Sequence, residues 1–236
     1  MAAARAGADA RRSDARLAAR HRPAAAGHRR RRRRAVSAPV RRGAPPGEVR
    51  IVGGRWRRSK LPVPPLPGLR PTPDRVRETL FNWLGQHLHG WRCVDAFAGT
   101  GALGLEAASR GAVEVVLVER QPQLLRALHE HVQRLQGASD VVRVVGGEAL
   151  GVLAGLPAAR WHLVLLDPPF DGGAALFEAA LRQARRLVAA DGLAYLEAPQ
   201  PWDEARLASL GWAVQRHLRA GQVHAHLLRP LDNLQP

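Results

Sequence analysis

Beyond about residue 90, short apolar runs alternate with segments in which apolar residues recur every three or four positions. The apolar runs predict buried strands, and the segments between them predict amphipathic helices. The predicted strands end at Asp95 and cover residues 113–118, 141–145, 161–167 and 193–197. The predicted helices follow Gly101, cover residues 122–135 and 174–188, and include a short one near Glu148. This alternation predicts an α/β fold with a parallel sheet and helices on both faces.

The two ends of the chain depart from this pattern. Residues 212–218 and 222–228 are strand-like runs joined through Ala220-Gly221, which predicts a terminal hairpin and one antiparallel strand in the sheet. Ahead of the alternating part, two short runs within residues 49–63 flank Gly53-Gly54 and predict another hairpin.

A helix is predicted to follow the first hairpin. Thr72 is a suitable N-cap, Pro73 fits the first helical position, and Asp74 adds favourable charge to the first turn. The buried face of this helix is predicted to consist of Val76, Leu80, Phe81 and Leu84.

The net charge of +16 is concentrated in the first part of the chain. Residues 1–50 hold 15 arginines and 3 acidic residues, residues 51–92 carry a further net charge of +6, and the remainder carries −2. Basic side chains neutralise phosphates and release counterions, which indicates a polyanionic partner. Residues 1–47 lack periodic apolar positions and are predicted to be disordered. They fit a nucleic-acid tether, a solvated extension or a transit peptide.

The composition also excludes several classes of protein. No apolar run approaches the ~20 residues that cross a bilayer. The single cysteine, Cys93, excludes an internal disulfide and a zinc site made of cysteines, and it suits a reducing compartment. We therefore expect a cytoplasmic protein with neither a membrane segment nor a metal.

Chemistry is first indicated by the glycines after the first strand of the alternating part. Gly99, Gly101 and Gly104 have the spacing of a nucleotide-binding turn, in which backbone N–H groups approach a ligand and helix packs closely on strand. Glu119 lies 20 residues beyond Gly99, where a carboxylate can accept hydrogen bonds from both ribose hydroxyls. This pattern fits NAD and S-adenosylmethionine alike, and a tight turn without a ligand is the plainer alternative.

A second chemical signal is Asp167-Pro168-Pro169-Phe170, at the end of a predicted strand. The prolines fix the backbone and leave the Asp167 carboxylate and the Pro168 carbonyl as paired acceptors, which suits an exocyclic amine. Hydrogen bonds from the amine favour the pyramidal nitrogen that attacks a methyl group, and Phe170 can stack on the base. A structural turn with a core phenylalanine is the alternative.

With these segments the sequence resembles the RsmD family, bacterial methyltransferases that modify a guanine N2 of small-subunit ribosomal RNA. The matching runs are residues 51–57, 69–84, 95–107, 167–170 and 220–222. The resemblance covers about residues 49–230 and implies a Rossmann-like class I methyltransferase fold. That fold has a mostly parallel seven-stranded sheet with its last strand antiparallel, and here an N-terminal hairpin and helix would help to hold RNA.

The resemblance also implies roles for individual residues. Those expected around S-adenosylmethionine are Asp95, Phe97, Gly99, Thr100, Gly101, Glu119 and Glu148. The expected catalytic segment is Asp167, Pro168, Pro169 and Phe170. The expected RNA contacts are Arg55, Arg57, Arg58, Lys60, Arg70, Thr72, Arg75 and Arg77. The sequence departs from the family pattern at Arg120-Gln121 and at Glu148, where the family usually places Asp or Asn against the adenine.

These inferences divide the chain into four parts: a tail (1–47), an RNA-binding hairpin and helix (48–90), a methyltransferase domain (91–230) and a C-terminal tail (231–236). We expect a monomer that methylates ribosomal RNA within a small-subunit particle or an assembly intermediate. The alternatives are an adenine-N6 methyltransferase of DNA or RNA, an NAD-dependent oxidoreductase and a non-catalytic RNA-binding protein. Trp56, among the hairpin cations, is either a stacking surface for a base or part of the core.

Overall fold

The computed structural model describes residues 47–66 and 72–231. The strands are β1 (Gly47–Arg50), β2 (Lys60–Val63), β3 (Arg92–Asp95), β4 (Glu114–Glu119), β5 (Val142–Gly146), β6 (Trp161–Leu166), β7 (Val188–Ala198), β8 (Trp212–Ala220) and β9 (Val223–Pro230). The α-helices are α1 (Asp74–Leu84), α2 (Ala102–Ser109), α3 (Pro122–Arg134), α4 (Ala149–Gly155), α5 (Gly173–Leu187) and α6 (Glu204–Ser209). A 3₁₀ turn, Phe170–Gly172, lies between β6 and α5.

The main sheet has seven strands in the order β5-β4-β3-β6-β7-β9-β8, and β1 pairs separately with β2. β3 is parallel to both β4 and β6, whereas β9 is antiparallel to β7 and β8. This confirms the predicted mostly parallel sheet with an antiparallel last strand. Because the chain order reverses between β3 and β6, the loops after these two strands flank the crevice where ligands of such sheets bind.

Helices cover both faces of the sheet. On one face α1, α2 and α3 form a core with β1 and β2, which includes Phe81, Leu105 and Leu128. On the other face α4, α5 and α6 form a second core around Trp161 and Trp212. Burial of both faces explains why the central strands are continuous apolar runs.

The first hairpin differs from its prediction. β1 and β2 pair from Gly47 opposite Val63 to Arg50 opposite Lys60, so residues 51–59 connect them and the two glycines do not form a tight turn. Gly54 packs instead on the end of α2. It has φ of 72°, and a Cβ there would lie 2.0 Å from the carbonyl oxygen of Ser109. The glycine therefore permits a close approach between the connecting loop and α2.

Two residues for which a surface role was considered, Trp56 and Thr72, are buried. Trp56 is 6% exposed, and its indole N–H donates to the carbonyl of Gln136 at 3.0 Å. It belongs to the core and is not a stacking surface. α1 begins at Asp74 with Pro73 in the N-cap position, so Thr72 does not cap the helix. Thr72 is buried, and its hydroxyl forms a hydrogen bond with Glu197. This corrects its expected roles as a cap and as an RNA contact.

Arg77 is also inside the protein. Its side chain is fully buried and lies 3.5 Å from the carboxylate of Glu106, which Arg110 also contacts at 2.8 Å. Arg77 donates to the carbonyl of Arg50 at 2.7 Å and also pairs with Asp74. We call Glu106, Arg77 and Arg110 the Glu106 junction, which joins α1 and the first hairpin to α2. Arg77 was expected to bind RNA, and its burial corrects that expectation.

Several predictions fall outside the described residues. They concern the tail before residue 47, the residues beyond 231, and Arg70. Within the described ranges, no helix combines the length and the apolar character needed to cross a membrane.

Candidate active site

The loop between β3 and α2 depends on its glycines. Gly99 has φ of 53° and Gly101 has φ of 78°, which are left-handed conformations that residues with a Cβ rarely adopt. A Cβ on Gly104 would lie 2.2 Å from the side chain of Leu117. The predicted close packing of helix on strand is therefore confirmed, and the loop requires glycine at residues 99 and 101.

Asp95 ends β3 and is 1% exposed. Its Oδ2 accepts the N–H of Gly104 at 2.9 Å, whereas its buried Oδ1 has no hydrogen-bond partner among the described residues. Burial, with smaller contributions from the carboxylates of Glu119 and Glu197, raises the pKa of Asp95 to about 7, and the N–H groups of Gly104 and Phe97 oppose this shift. Asp95 therefore retains an acceptor for a ligand.

Glu119 ends β4 and is held by backbone N–H groups. Its Oε2 accepts from Gly99 at 2.9 Å, and its Oε1 accepts from Arg120 and Gln121 at 2.8 Å each. These bonds fix the carboxylate beside the glycine loop. Three of the about four lone pairs of the carboxylate are then occupied, and the one that remains, on Oε2, can accept a hydroxyl hydrogen.

The two departures from the family pattern meet in the structure. Arg120 Nη1 lies 3.1 Å from Glu148 Oε1, and the two side chains are 62% and 73% exposed. A contact between Glu148 and an adenine stays a prediction, and such a contact has to share the carboxylate with Arg120.

Asp167 follows β6, between the ends of β3 and β7. Burial raises its pKa well above the ordinary range, and the nearby carboxylates of Glu197 and Asp95 add to this effect. We call Asp95, Asp167 and Glu197 the acid row, because they stand at or near the carboxyl ends of three adjacent strands. In the described part of the chain, no lysine or arginine forms an ion pair with any of them.

Glu197 was not among the residues expected in the site. The sequence offered one signal, an acidic residue at the end of the apolar run 193–197. Buried carboxylates are rare without a cation, so such a residue marks a candidate site.

Phe170 points away from the core and is 41% exposed, which excludes the alternative of a core phenylalanine. It lines an open cavity of about 320 Å³ together with Phe177, Trp202 and Arg206. The Arg206 guanidinium lies 4.8 Å from the centre of the Trp202 ring. The cavity thus places two aromatic rings and a cation next to the segment that contains Asp167.

Comparison with known proteins decides the family. The family model described as conserved hypothetical protein 95 matches residues 49–229. Ribosomal RNA small subunit methyltransferase D of Escherichia coli K12 is 41% identical over 179 residues, which are 75% of this chain and 87% of that protein. The protein of the same name from Haemophilus influenzae is 37% identical over 183 residues, 77% of this chain and 93% of its own length. The chain belongs to the RsmD family.

A solved structure agrees with this assignment. Escherichia coli yhhF superposes with a TM-score of 0.66 at 39% identity, covering 79% of this chain and all of its own. The RsmD family is a methyltransferase family with a class I fold, which implies S-adenosylmethionine as the methyl donor. The free Oδ1 of Asp95 and the oriented carboxylate of Glu119 fit such a group, because its amino group and ribose hydroxyls are hydrogen-bond donors.

Basic side chains are exposed on residues 55–60 and on α1. Arg55, Arg57, Arg58 and Arg75 are exposed. Lys60 is exposed as well, but it lies 2.9 Å from the carboxylate of Glu48. We call these five residues the basic surface. They are the expected RNA contacts that the structure describes, apart from the buried Thr72 and Arg77; Arg70 lies outside the described residues.

Proposed function

We propose that the protein transfers a methyl group from S-adenosylmethionine to the exocyclic N2 of a guanine in small-subunit ribosomal RNA. The observation that supports this best is the position of Asp167-Pro168-Pro169-Phe170 beside the glycine loop, at the ends of the adjacent strands β6 and β3. Relatives named ribosomal RNA small subunit methyltransferase D support the substrate class.

The cofactor would be held at the ends of β3 and β4. Gly99, Thr100 and Gly101 would offer backbone N–H groups to its methionine end, with Asp95 and Phe97 beside them. Glu119 would accept a ribose hydroxyl at its Oε2, and Glu148 is proposed to meet the adenine. When bound, S-adenosylmethionine supplies an electrophilic methyl group on a positively charged sulfur.

The target amine would lie at the end of β6. An aryl amine is a weak nucleophile, and its nitrogen becomes cationic as it takes the methyl group. The Asp167 carboxylate and the Pro168 carbonyl can each accept one of its N–H groups, and these bonds strengthen as the charge develops. The guanine has to be unpaired or to leave its stack, and Phe170 and Trp202 offer surfaces on which RNA bases can stack.

The basic surface would hold RNA phosphates. Arg55, Arg57, Arg58 and Arg75 are exposed and can neutralise phosphates without breaking an ion pair in the described structure. Lys60 would have to exchange Glu48 for a phosphate. We propose that a monomer acts on RNA within a small-subunit particle or an assembly intermediate.

The test is methyl transfer from labelled S-adenosylmethionine to naked small-subunit RNA and to small-subunit particles, both taken from a strain lacking the enzyme. Mass spectrometry of the nucleosides should show N2-methylguanosine. Methyladenosine in its place would support adenine-N6 chemistry instead. No transfer to either substrate, from protein that binds the cofactor, would overturn the proposal.

Asp167 is the residue on which the chemical assignment depends. Asp167→Ala should retain cofactor and RNA binding but lose single-turnover methyl transfer by at least about 10²-fold, the scale of removing one preorganised polar group. Asp167→Asn keeps an acceptor oxygen and should lose less. Asp191→Asn is the matched control, because Asp191 is exposed on β7, far along the strand from Glu197. Near wild-type rates for Asp167→Ala would show that the segment is structural.

A further inference from the structure

A buried carboxyl, Glu197, stands beside the half-buried Asp167 at the edge of the sheet. β6 and β7 run in parallel with Leu166 opposite Leu196, so Asp167 and Glu197 occupy the next positions along the two chains. Because side chains alternate along a strand, Tyr195 and Glu197 point to the same face. Glu197 is 3% exposed and has no part in the contacts assigned above to the cofactor or the amine.

Two hydroxyl groups hold the Glu197 carboxylate. Tyr195 Oη donates to Oε1 of Glu197 at 2.9 Å, and the Thr72 hydroxyl donates from the segment before α1. Burial raises the pKa of Glu197, and these two hydrogen bonds oppose the shift because they favour the ionised form. Burial also raises the pKa of Tyr195 well above its ordinary value, so its hydroxyl remains a donor.

The charged groups that face Glu197 are acidic. Asp167 lies next to it after β6, and Asp95 lies one strand further on β3. β9 places Ala225 opposite Glu197, while His226, opposite Leu196, points to the other face. Ionising one buried carboxyl beside another costs electrostatic energy. Glu197 accordingly adds to burial in raising the pKa of Asp167.

We propose that Glu197 is a positioning residue that acts through Asp167: its charge, fixed by two hydroxyls, strengthens Asp167 as the acceptor of the proton released by the methylated nitrogen. This inference rests on the proposed function. As the N–C bond forms, the C–S bond breaks and its electron pair stays on sulfur. The cationic nitrogen then gives a proton to Asp167, so that an N–H bond breaks and an O–H bond forms. Glu197 keeps its charge and exchanges no atom.

Glu197→Gln removes the charge with little change in shape. Single-turnover rates at saturating cofactor and RNA should rise with pH as Asp167 ionises. In Glu197→Gln this rise should move to lower pH, because the neighbouring charge is gone, and the plateau rate should fall, because Asp167 is then a weaker base. Glu197→Asp should restore the wild-type position. A loss of rate at every pH with an unmoved profile would indicate a merely structural role and overturn the inference.

A second measurement does not depend on activity. Carboxyl carbon NMR of the protein without cofactor, with the signal assigned through Asp167→Asn, follows the ionisation of Asp167 directly. The apparent pKa of Asp167 should fall in Glu197→Gln. It should fall less in Tyr195→Phe, which keeps the ring and only weakens the ionised form of Glu197. Asp191→Asn, on the same strand, should leave it unchanged.

The two proposals fail in different ways. If Asp167 titrates at the same pH in wild type, Glu197→Gln and Tyr195→Phe, the inference about Glu197 is wrong even where methyl transfer to guanine is confirmed. If the wild-type protein methylates no RNA, the proposed function fails whatever the titration shows.

Discussion

Two groups of buried or half-buried charged residues differ in how their charges are balanced. In the Glu106 junction, one buried carboxylate lies against two buried guanidinium groups and also accepts the N–H of Val52 at 2.8 Å. In the acid row, three carboxyls lie on adjacent strands without an arginine or lysine partner in the described ranges. The acceptors of the junction are occupied, so it serves to join the hairpin and α1 to α2. In the acid row, Oδ1 of Asp95 has no partner among the described residues and can accept from a ligand. Uncompensated carboxyls of this kind are typical of functional sites.

Removing the centre of the Glu106 junction should have the largest effect on stability. Glu106→Ala leaves Arg77 and Arg110 buried without their shared partner, and breaking a buried pair in this way costs about 3–5 kcal/mol. Urea unfolding measures the loss. Glu114→Ala is the control, because Glu114 pairs with Arg92 and Arg160 in a partly exposed position, and such pairs contribute at most about 1 kcal/mol. Equal losses in the two variants would contradict the comparison.

Removing a carboxyl from the acid row should stabilise the protein, whereas removing Glu106 destabilises it, because the carboxyls of the acid row destabilise the fold when they ionise. The pKa of Asp95 is about 7 in the folded protein and 3.8 ordinarily. Between these values the folded state binds a proton that the unfolded state has lost, so stability falls as pH rises. Asp95→Asn should remove the part of that fall that Asp95 causes and gain about 1–3 kcal/mol relative to wild type above neutral pH.

This prediction is checked by urea unfolding of the cofactor-free protein at a series of pH values. Asp191→Asn, an exposed change of the same kind, should leave the slope of stability against pH as it is in wild type. If Asp95→Asn keeps the wild-type slope, Asp95 does not hold a proton in the folded state and the acid row is not an uncompensated cluster.

Much of the fold and part of the site could be predicted from the sequence. The alternation of apolar runs and amphipathic segments predicted the sheet. The predicted strand ends placed Asp95, Glu119 and Asp167 at one edge of it, because parallel strands end at the same edge. The start of β7 was missed: the strand was predicted for residues 193–197, but it begins at Val188, where the preceding helix was predicted to end.

The errors arise where distant segments decide burial. Arg77 precedes Leu80, Phe81 and Leu84 at helical spacing, so its place on the buried face of α1 was visible, but its charge suggested a surface position. What permits its burial is Glu106, which lies 29 residues further along the chain. Trp56 is fixed by the carbonyl of Gln136 in the same way, 80 residues away. Pairing over such separations leaves no local pattern in a single sequence.

The smallest effect on stability is expected for a substitution of Arg75. Arg75 and Arg77 allow an exposed and a buried arginine to be compared within one helix. Arg75 and Arg77 are two residues apart on α1, yet one is exposed and the other fully buried. Arg75→Ala should leave urea unfolding unchanged, because no buried group loses a partner. Arg77→Ala should be strongly destabilising, since it leaves part of the Glu106 charge unbalanced.

For RNA binding we expect the opposite order, with a larger effect of Arg75→Ala than of Arg77→Ala. A side chain that neutralises one phosphate releases about one counterion, so Arg75→Ala should weaken binding and reduce the slope of log affinity against log salt by about 1. Arg77→Ala, measured below its unfolding temperature, should keep the wild-type slope, because a buried guanidinium releases no counterion on binding. An unchanged slope for Arg75→Ala would remove Arg75 from the basic surface. A reduced slope for Arg77→Ala would mean that α1 opens when RNA binds, and the Glu106 junction would then be part of the binding step.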